Sequence, residues 1–250
     1  MIMRWDELTS TQLAAAVAAD PALVALVPVG ATEQHGPHLP VGTDTVIATA
    51  VAEAAAGGDG PSVVVLPAIS YGASQFHGTD LAGTVAFSGA DTADRAYQVA
   101  RACLDSGVRR ILFVNGHVGN AAPLWLACDR FRRAHPDGRI GVMQWWELTP
   151  EIAATATADA VDWHANAAET SIMLALRPEL VDTDRFAEAD DPDRTDGLVF
   201  RYSVAQVSTN GVTGHPSRAS KELGLALWRD IVTAARDVVA RARTEQPPLP

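Results

Sequence analysis

Residues 27–44 read VPVGATEQHGPHLPVGTD, and this stretch decides how the rest of the 250-residue chain folds. It continues an apolar run, residues 22–29 (ALVALVPV), which changes at Gly30 into a polar loop. The run is continuous rather than alternating, which is typical of a strand covered on both faces. The sequence therefore predicts a buried strand whose carboxyl end delivers a polar loop.

The loop carries three side chains that suit a divalent metal ion. Glu33 and His35 are two residues apart, and Asp44 follows nine residues after His35. Zinc and related ions bind oxygen and nitrogen ligands of these kinds. The alternative is a polar loop in which Asp44 only caps the following helix, where aspartate is favoured. The loop by itself does not decide between the two.

The remaining pattern predicts strands and helices in alternation. Further runs rich in Val, Ile and Leu lie at 62–67, 109–114 and 139–144, and helical periodicity lies at 6–19, 44–57, 89–106, 120–135, 165–177 and 217–243. Thr9 or Ser10 can cap the first helix. Strand followed by helix, repeated, favours an α/β fold with a mostly parallel sheet sandwiched by helices.

The sequence predicts one domain over residues 1–250, because no repeat or change of composition marks a boundary. Surface loops are predicted within 186–216, where an acidic, turn-rich stretch at 186–197 is followed by a glycine-containing loop at 203–216. Residues 246–250 are predicted to be a frayed tail.

Composition narrows the classes of partner. The chain is 48% hydrophobic, with a net charge of −11 and a pI near 5.0. Nucleic acids and anionic membranes are bound by basic patches, so we expect neither as a partner. Two cysteines give no disulfide framework, and neither a secretory signal nor an apolar span of about 20 residues is present. These features predict a soluble, cytoplasmic protein.

A second histidine follows the strand at 109–114, which leads into NGHVGN at residues 115–120. His117 therefore lies just past the carboxyl end of a parallel strand, as Glu33 and His35 do. In open parallel sheets that edge is where ligands bind. The shared placement favours His117 as a metal ligand over a loop histidine hydrogen-bonded to a neighbour.

Glu169 is the fifth candidate ligand and lies near the start of the helix at 165–177. A glutamate in a first turn often only interacts with the helix dipole, but small residues on both sides of Glu169 leave it without a surface-like setting. His164, five residues earlier, is interpreted as a partner of the ligands, a general base or an ordinary hydrogen-bonded histidine. His77, in the loop after the second strand, can face the same pocket.

Together these motifs resemble the creatininase family of metal-dependent amidohydrolases. The resemblance rests on Glu33-Gln34-His35-Gly36 with Asp44, on Asn115-Gly116-His117, on Ala168-Glu169-Thr170-Ser171 and on the loop Gly211-Val-Thr-Gly-His-Pro. Four separated motifs in the right order are far more specific than any one of them.

The resemblance implies a three-layer αβα sandwich with two divalent ions, Zn²⁺ or Mn²⁺ or both, in each chain. Glu33, His35, Asp44 and His117 match metal ligands of the family, with Asp44 at the bridging position. The resemblance also implies a small-molecule substrate and a homo-oligomer, since hexamers or similar assemblies are general in the family.

One position departs from creatininase itself. Creatininase has a metal-binding glutamate two residues after the histidine that matches His117, and this chain has Gly119 there. Glu169 is then the replacement ligand, as in relatives that lack that glutamate. The departure argues against creatinine as the substrate.

The predicted reaction is hydrolysis of a C–N bond in a small amide, cyclic amide or formamide by metal-activated water. His164, at the position of creatininase's catalytic histidine, or a metal-bound carboxylate such as Glu169 would move the proton. Trp145, Trp146 and His77 are predicted to contact substrate, although both tryptophans suit a buried core equally well.

Other activities in the family leave alternatives open. Relatives deformylate a formylaminopyrimidine nucleotide, open inosose-type rings or trim the mycofactocin precursor peptide, so a peptidase of the last kind is one alternative. A non-catalytic binding protein of the same fold is another. No Gly-x-Ser-x-Gly elbow, dinucleotide fingerprint or Walker sequence supports a metal-free hydrolase or a nucleotide-binding enzyme.

Overall fold

The computed structural model describes residues 2–57, 63–78 and 80–249. In this part of the chain one sheet is formed by the strands β1 (Met3–Arg4), β2 (Val24–Val29), β3 (Val63–Val65), β4 (Arg110–Asn115) and β5 (Arg139–Gln144). Their order across the sheet is β1-β3-β2-β4-β5, and every neighbouring pair is parallel. The predicted parallel sheet is confirmed.

The register brings the carboxyl ends of three strands to one edge of the sheet. Val29 of β2 pairs with Asn115 of β4, which pairs with Gln144 of β5. Parallel strands need crossover connections, so the loops that follow β2 and β4 leave the sheet side by side. This is the edge where open α/β sheets bind ligands.

Helices cover both faces of the sheet. They are α1 (Ser10–Ala19), α2 (Thr43–Ala56), α3 (Gly89–Asp105), α4 (Ala121–Ala134), α5 (Pro150–Ala156), α6 (Ala167–Leu176), α7 (Phe186–Ala189), α8 (Val204–Val207) and α9 (Lys221–Thr244). Thr9 begins α1 with a capping box, in which its hydroxyl accepts from the Gln12 N–H and the Gln12 side chain accepts from the Thr9 N–H.

The alternation of side chains along β2 separates two apolar cores. Val24 and Leu26 point to a core shared with α2, α6 and α9, whereas Ala25 and Val27 point to a core shared with α3 and α4. All six residues of β2 are buried. Burial of one such aliphatic side chain is worth about 1.5–3 kcal/mol, so the central strand fixes both helical layers. The predicted three-layer arrangement is confirmed.

Three segments differ from the sequence-based expectation. Strand β1 was not predicted, because two residues are too short to show periodicity, and the helix α5 was also missed. The strand expected at 62–67 is β3, and Ser62 lies outside the described residues. No described helix is both long and apolar enough to cross a lipid bilayer.

The region predicted as surface loops, 186–216, is more ordered than expected. It contains the one-turn helices α7 and α8, and Ala189 and Asp191 are buried. Asp191 accepts hydrogen bonds from the Ser208 hydroxyl at 2.9 Å and from the Thr209 N–H at 2.6 Å. These bonds satisfy a carboxylate that composition alone would place at the surface.

The single domain remains a prediction. Residues 246–249 are exposed beyond α9, and Pro250 lies outside the described part.

Helices α6 and α9 approach each other closely at Gly224. A Cβ atom on Gly224 would collide with the backbone carbonyl oxygen of Ser171. The Ser220 N–H, just before α9, donates to the Ser171 hydroxyl at 3.1 Å. The absence of a side chain at Gly224 therefore sets the distance between the two helices.

We predict that Gly224→Ala lowers the free energy of unfolding by about 1–3 kcal/mol, the usual cost of overpacking. Alanine is the better helix former by about 1 kcal/mol, but the collision is with backbone, which can yield only if the helices separate. Urea unfolding measures the change. Gly89→Ala is the matched control, because its new Cβ meets only Pro123 Cγ at 3.5 Å. Equal stability of the two variants would contradict the close approach.

Candidate metal centre

The carboxyl edge of the sheet gathers the five predicted ligands. Glu33 and His35 lie in the loop after β2, Asp44 in the first turn of α2, His117 just after β4, and Glu169 in the first turn of α6. All five side chains are buried, with relative exposures between 0% and 7%. Charged residues are almost never buried to this degree unless they are paired or bind a metal.

Asp44 stands between two histidines and offers one carboxylate oxygen to each. Its Oδ1 lies 3.2 Å from His35 Nε2, and its Oδ2 lies 3.3 Å from His117 Nδ1. The same His117 nitrogen lies 3.2 Å from Glu33 Oε1. Glu169 Oε1 is 4.0 Å from His35 Nε2 on the other side. Asp44 thus lies between the two histidines, and the bridging role implied by the resemblance stays a prediction.

Hydrogen bonds on the far side of each ring decide which nitrogen faces the carboxylates. His35 Nδ1 lies 3.1 Å from the Glu33 carbonyl oxygen, and His117 Nε2 lies 3.3 Å from the Ala73 carbonyl oxygen. A carbonyl only accepts, so these nitrogens carry protons. The inward nitrogens, His35 Nε2 and His117 Nδ1, then present lone pairs to carboxylate oxygens. A nitrogen lone pair that faces an oxygen lone pair repels it, so a proton or a cation must lie between the two atoms.

The unpaired atoms show that the donor set fits divalent metal ions. Both carboxylate oxygens of Glu33, His35 Nε2 and Asp44 Oδ2 are buried without a hydrogen-bond partner among the described residues. Three overlapping groups of residues each bring their chelating atoms within 4.8 Å of one another. The groups are Glu33-His77-His164, His35-His164-Glu169 and Glu33-His35-Asp44. Carboxylate oxygen with imidazole nitrogen suits zinc or manganese. These residues could therefore hold such ions.

Without a metal ion, protons on the histidines balance the carboxylates. Burial alone would lower the pKa of His35, but Asp44 raises it to about 10. Burial acts on His117 in the same way, and Glu33 raises its pKa to about 9. Burial would raise the pKa of Glu33, but the charge of His117 holds it well below its ordinary value of 4.5.

Glu169 is positioned by the start of α6. The Asn166 side chain caps the helix by accepting from the Ala168 and Glu169 N–H groups at 3.1 and 3.2 Å. Glu169 Oε2 accepts from the Ala165 N–H at 2.7 Å, and Ala165 has a positive φ of 50°. Burial raises the pKa of Glu169 to about 7. The left-handed backbone at Ala165 turns its N–H towards this carboxylate.

His164 lies above the carboxylates as a neutral base. Its ring centroid lies 4.4 Å from those of both His35 and His77, with the rings tilted by 52° and 59°. Its Nε2–H donates to the Gln34 carbonyl at 2.8 Å, which leaves Nδ1 free, 3.7 Å from Glu33 Oε1. Burial and the charge of His35 hold the pKa of His164 well below its ordinary value of 6.5.

His77 has a partner that fixes its tautomer. The Gln34 side-chain oxygen accepts from the Gly36 N–H, so its NH₂ group is the one that donates to the Gly211 carbonyl and meets His77 Nδ1, each bond at 3.0 Å. His77 Nε2 therefore carries the proton and faces Glu33 Oε1 at 3.3 Å. His77 orients Glu33 as well as facing the pocket, a role the sequence did not indicate.

Gly119 leaves room for the bond that orients His117. A Cβ at this position would collide with His117 Nε2 and would lie 2.5 Å from the Ala73 carbonyl oxygen. Any side chain here would disrupt that pair. The third carboxylate of the cluster comes instead from Glu169, which agrees with the replacement inferred from the sequence.

A cavity of about 380 Å³ opens above the cluster. Asp44, His77, His117, His164 and Glu169 form its floor, and the outer wall comes from Trp163, Phe76 and residues 195–207. Trp163 and residues 195–207 were missed by the sequence reasoning, although the apolar run Leu198-Val199-Phe200 within a polar segment was a usable signal.

Trp145 and Trp146 lie behind this wall rather than in it. They are buried, with 0% and 8% exposure, and their rings contact Trp163 edge-on at 5.6 and 5.8 Å. Neither lines the cavity, so the aromatic wall expected from them is formed by Trp163. Substrate contact by Trp145 and Trp146 stays a prediction that the lining does not support.

Two further histidines lie outside the cluster. His38 Nε2 lies 2.8 Å from the Thr170 hydroxyl and joins the loop after β2 to α6. The backbone N–H of His215 donates to Asp159 at 2.7 Å. Both hold loops together beside the site.

Comparison with known proteins places this geometry in context. The creatininase model, described as creatinine amidohydrolase, matches residues 6–239. The mycofactocin precursor peptide peptidase of Mycobacterium ulcerans is 36% identical over 228 residues, covering 86% of this chain and 84% of the relative. The creatinine amidohydrolase of Pseudomonas putida is 30% identical over 257 residues, covering 97% and 96%.

Solved structures agree with the sequence comparison. A crystal structure of creatininase superposes with a TM-score of 0.85 at 29% identity and covers 98% of this chain and 99% of that one. A creatininase mutant of the Zn-Zn type superposes with a TM-score of 0.84 at 29% identity, and the match covers 99% of this chain and 100% of that one. A manganese form of creatininase gives 0.82 at 30% identity, with the same coverage.

We predict that metal binding releases about two to three protons per chain at pH 7, because ligands must be deprotonated. His35 and His117, with pKa values of about 10 and 9, each lose one, and Glu169, with a pKa of about 7, adds part of a third. Apparent affinity must then weaken as the pH falls. Calorimetry of zinc binding in buffers of different ionisation enthalpy gives the number. His135→Ala, outside the cluster, should leave it unchanged, and binding without proton release would contradict the protonation described.

Proposed function

The chain belongs to the creatininase family of hydrolases, and we propose that it hydrolyses a carbon–nitrogen amide bond with the help of two divalent ions, zinc or manganese. The observation that carries this proposal is the buried cluster of three carboxylates and inward imidazole lone pairs beneath an open cavity. A buried cluster of this composition is costly unless cations occupy it.

The distances divide the ligands into two sets that share Asp44. Glu33 and His117 lie on the side of Asp44 Oδ2, whereas His35 and Glu169 lie on the side of Asp44 Oδ1. Glu33 and His117 would hold one ion, His35 and Glu169 would hold the other, and Asp44 could contribute an oxygen to each set. This arrangement uses each of the five ligands and accounts for the unpaired atoms of Glu33, His35 and Asp44.

Bound ions would polarise the amide carbonyl and make a water molecule acidic enough to attack at neutral pH. The chain's own contribution is proton transfer. His164 Nδ1 is free and neutral at the cavity floor, so it can take a proton and pass it to the leaving nitrogen. Glu169, a carboxylate on the same cavity floor, is the second group suited to this transfer.

A small-molecule amide is the substrate we favour, since the cavity of about 380 Å³ falls within the range for small ligands. Gly119, where creatininase has a glutamate, argues against creatinine. A short peptide is the second candidate, because mycofactocin precursor peptide peptidases are among the most similar relatives, at 34–36% identity. Both candidates require the same cleavage of an amide C–N bond.

Assembly and location remain proposals. Exposed apolar side chains such as Trp125 and Leu126 on α4 support a homo-oligomer. A cytoplasmic location rests on the sequence composition alone.

We predict about two zinc or manganese ions per chain in protein purified without chelator, as measured by elemental analysis. A panel of lactams, formamides and short peptides should then reveal hydrolysis that chelation abolishes. Protein that takes up no metal even after soaking would overturn the proposal. Full metal content without hydrolysis of any amide would favour a binding protein of the same fold.

Asp44→Ala should lower metal content to less than one ion per chain and reduce kcat/KM by more than about 100-fold, because both ions lose a shared ligand. Metal analysis and kinetics on the same preparation provide the measurement. Asp237→Ala, an exposed aspartate on α9, is the matched control. Retention of both ions by Asp44→Ala would exclude the bridging role.

His164→Ala should lower kcat by about 100-fold or more, the usual contribution of a general acid or base, and should keep both ions bound. Its metal content separates this effect from loss of ligands. A kcat equal to that of the unchanged protein would remove His164 from proton transfer.

A further inference from the structure

The outer wall of the cavity is apolar and belongs to the segment 195–207. Leu198, Phe200 and Tyr202 line the cavity with exposures of 47%, 74% and 43%. Helix α8 continues the wall beside the turn at Gln75–His77. Large apolar side chains left exposed together at the mouth of a cavity mark a ligand-binding surface.

Polar contacts near the protein surface hold this wall in place. Arg194 donates to the Val207 carbonyl at 3.0 Å and forms an ion pair with buried Asp191. Asp193 accepts from the Asp162 N–H at 3.1 Å. The two ends of the segment are therefore tied together and to the loop before α6, so the residues between them face the cavity as part of the fold.

Arg201 lies within this wall, and its side chain is exposed. It is the one arginine that lines the cavity in the described part of the chain, and no lysine lines it there. Arg201 forms no hydrogen bond or ion pair with any described residue. Asp162 is near enough for Arg201 to oppose the rise in its pKa, which burial and Asp193 cause. An unpaired guanidinium among apolar side chains is available to a ligand.

We propose that Arg201 binds a carboxylate of the substrate, so that the hydrolysed amide carries both an apolar group and a free carboxylate. The proposal rests on the amide hydrolysis proposed above and names the class of substrate for that site. The amide would reach the cluster at the floor, the apolar group would lie against Leu198, Phe200 and Trp163, and the carboxylate would pair with Arg201.

The chemistry of arginine favours a carboxylate over other acceptors. A guanidinium binds a carboxylate through two parallel hydrogen bonds, which fixes orientation as well as charge. The lining also contains the carboxylates Asp44, Asp162 and Glu169, so a negatively charged substrate needs a cation in the cavity to offset them. An uncharged lactam such as creatinine has no carboxylate to pair with Arg201.

The experiment compares Arg201→Gln, Arg201→Lys and the unchanged protein, each loaded with metal. The substrates are two matched pairs: N-acetyl-Leu-Phe with its C-terminal amide, and N-formyl-Phe with its amide. The acid of at least one pair should be hydrolysed with a kcat/KM at least 10-fold above that of its amide.

Arg201→Gln should abolish this preference by raising KM for the acid, with kcat unchanged within about twofold. Arg201→Lys should restore part of the preference. Arg229→Gln, exposed on α9, is the matched control and should keep the preference.

Every result decides the proposal. Equal hydrolysis of acid and amide, or a preference that survives in Arg201→Gln, overturns the carboxylate site but leaves amide hydrolysis intact. If none of the four probes is hydrolysed, kinetics cannot test the proposal. Calorimetry then measures the binding of 4-phenylbutyrate and of 4-phenylbutyramide instead. Tighter binding of the acid that is lost in Arg201→Gln supports the site. A preference kept in that variant assigns the carboxylate to the metal ions and overturns the site, as does equal binding of the acid and the amide. Failure of the proposed function itself is recognised separately, by the absence of metal or of hydrolysis across the broader amide panel.

Discussion

The structure depends on the compensation of buried negative charge at one edge of its sheet. Glu33, Asp44 and Glu169 are all but inaccessible to water, and an ion of this size isolated in a protein interior costs several kcal/mol. The fold meets this requirement with histidines whose inward nitrogens can either carry a proton or coordinate a cation. The raised pKa values of His35 and His117 and the unpaired oxygens of Glu33 are two expressions of the same constraint.

The parallel sheet explains how distant parts of the chain reach this edge. Strands β2 and β4 are neighbours with paired ends, so the loops that follow them deliver Glu33, His35 and His117 together. Asp44 arrives because α2 must start where the loop after β2 returns to the sheet. The fold and most of this cluster could therefore be predicted from the sequence, since continuous apolar runs locate strand ends and polar residues at those ends converge.

What the sequence could not supply depends on contacts between elements remote along the chain. The tautomer of His77 follows from Gln34, whose own orientation is set by Gly211, and no local pattern carries that information. Trp145 and Trp146 were expected at the cavity because an aromatic pair after a strand suits either a pocket or a core. Both are buried in the structure, and Trp163 lines the cavity. Asp191 was read as surface because its partners lie 17 and 18 residues further along the chain.

The position of Glu169 ties the chemistry of the site to the packing of the helices. With Gly119 after His117, the third carboxylate comes from the first turn of α6 rather than from the loop after β4. The location of that turn is set by α9, since Ser171, two residues beyond Glu169, lies against Gly224 and accepts from the Ser220 N–H. A displacement of α9 therefore moves a candidate ligand directly. Because a shift of about 1 Å in a catalytic group is enough to lower activity substantially, the contact between α6 and α9 is part of the active geometry even though it lies within the helical layer.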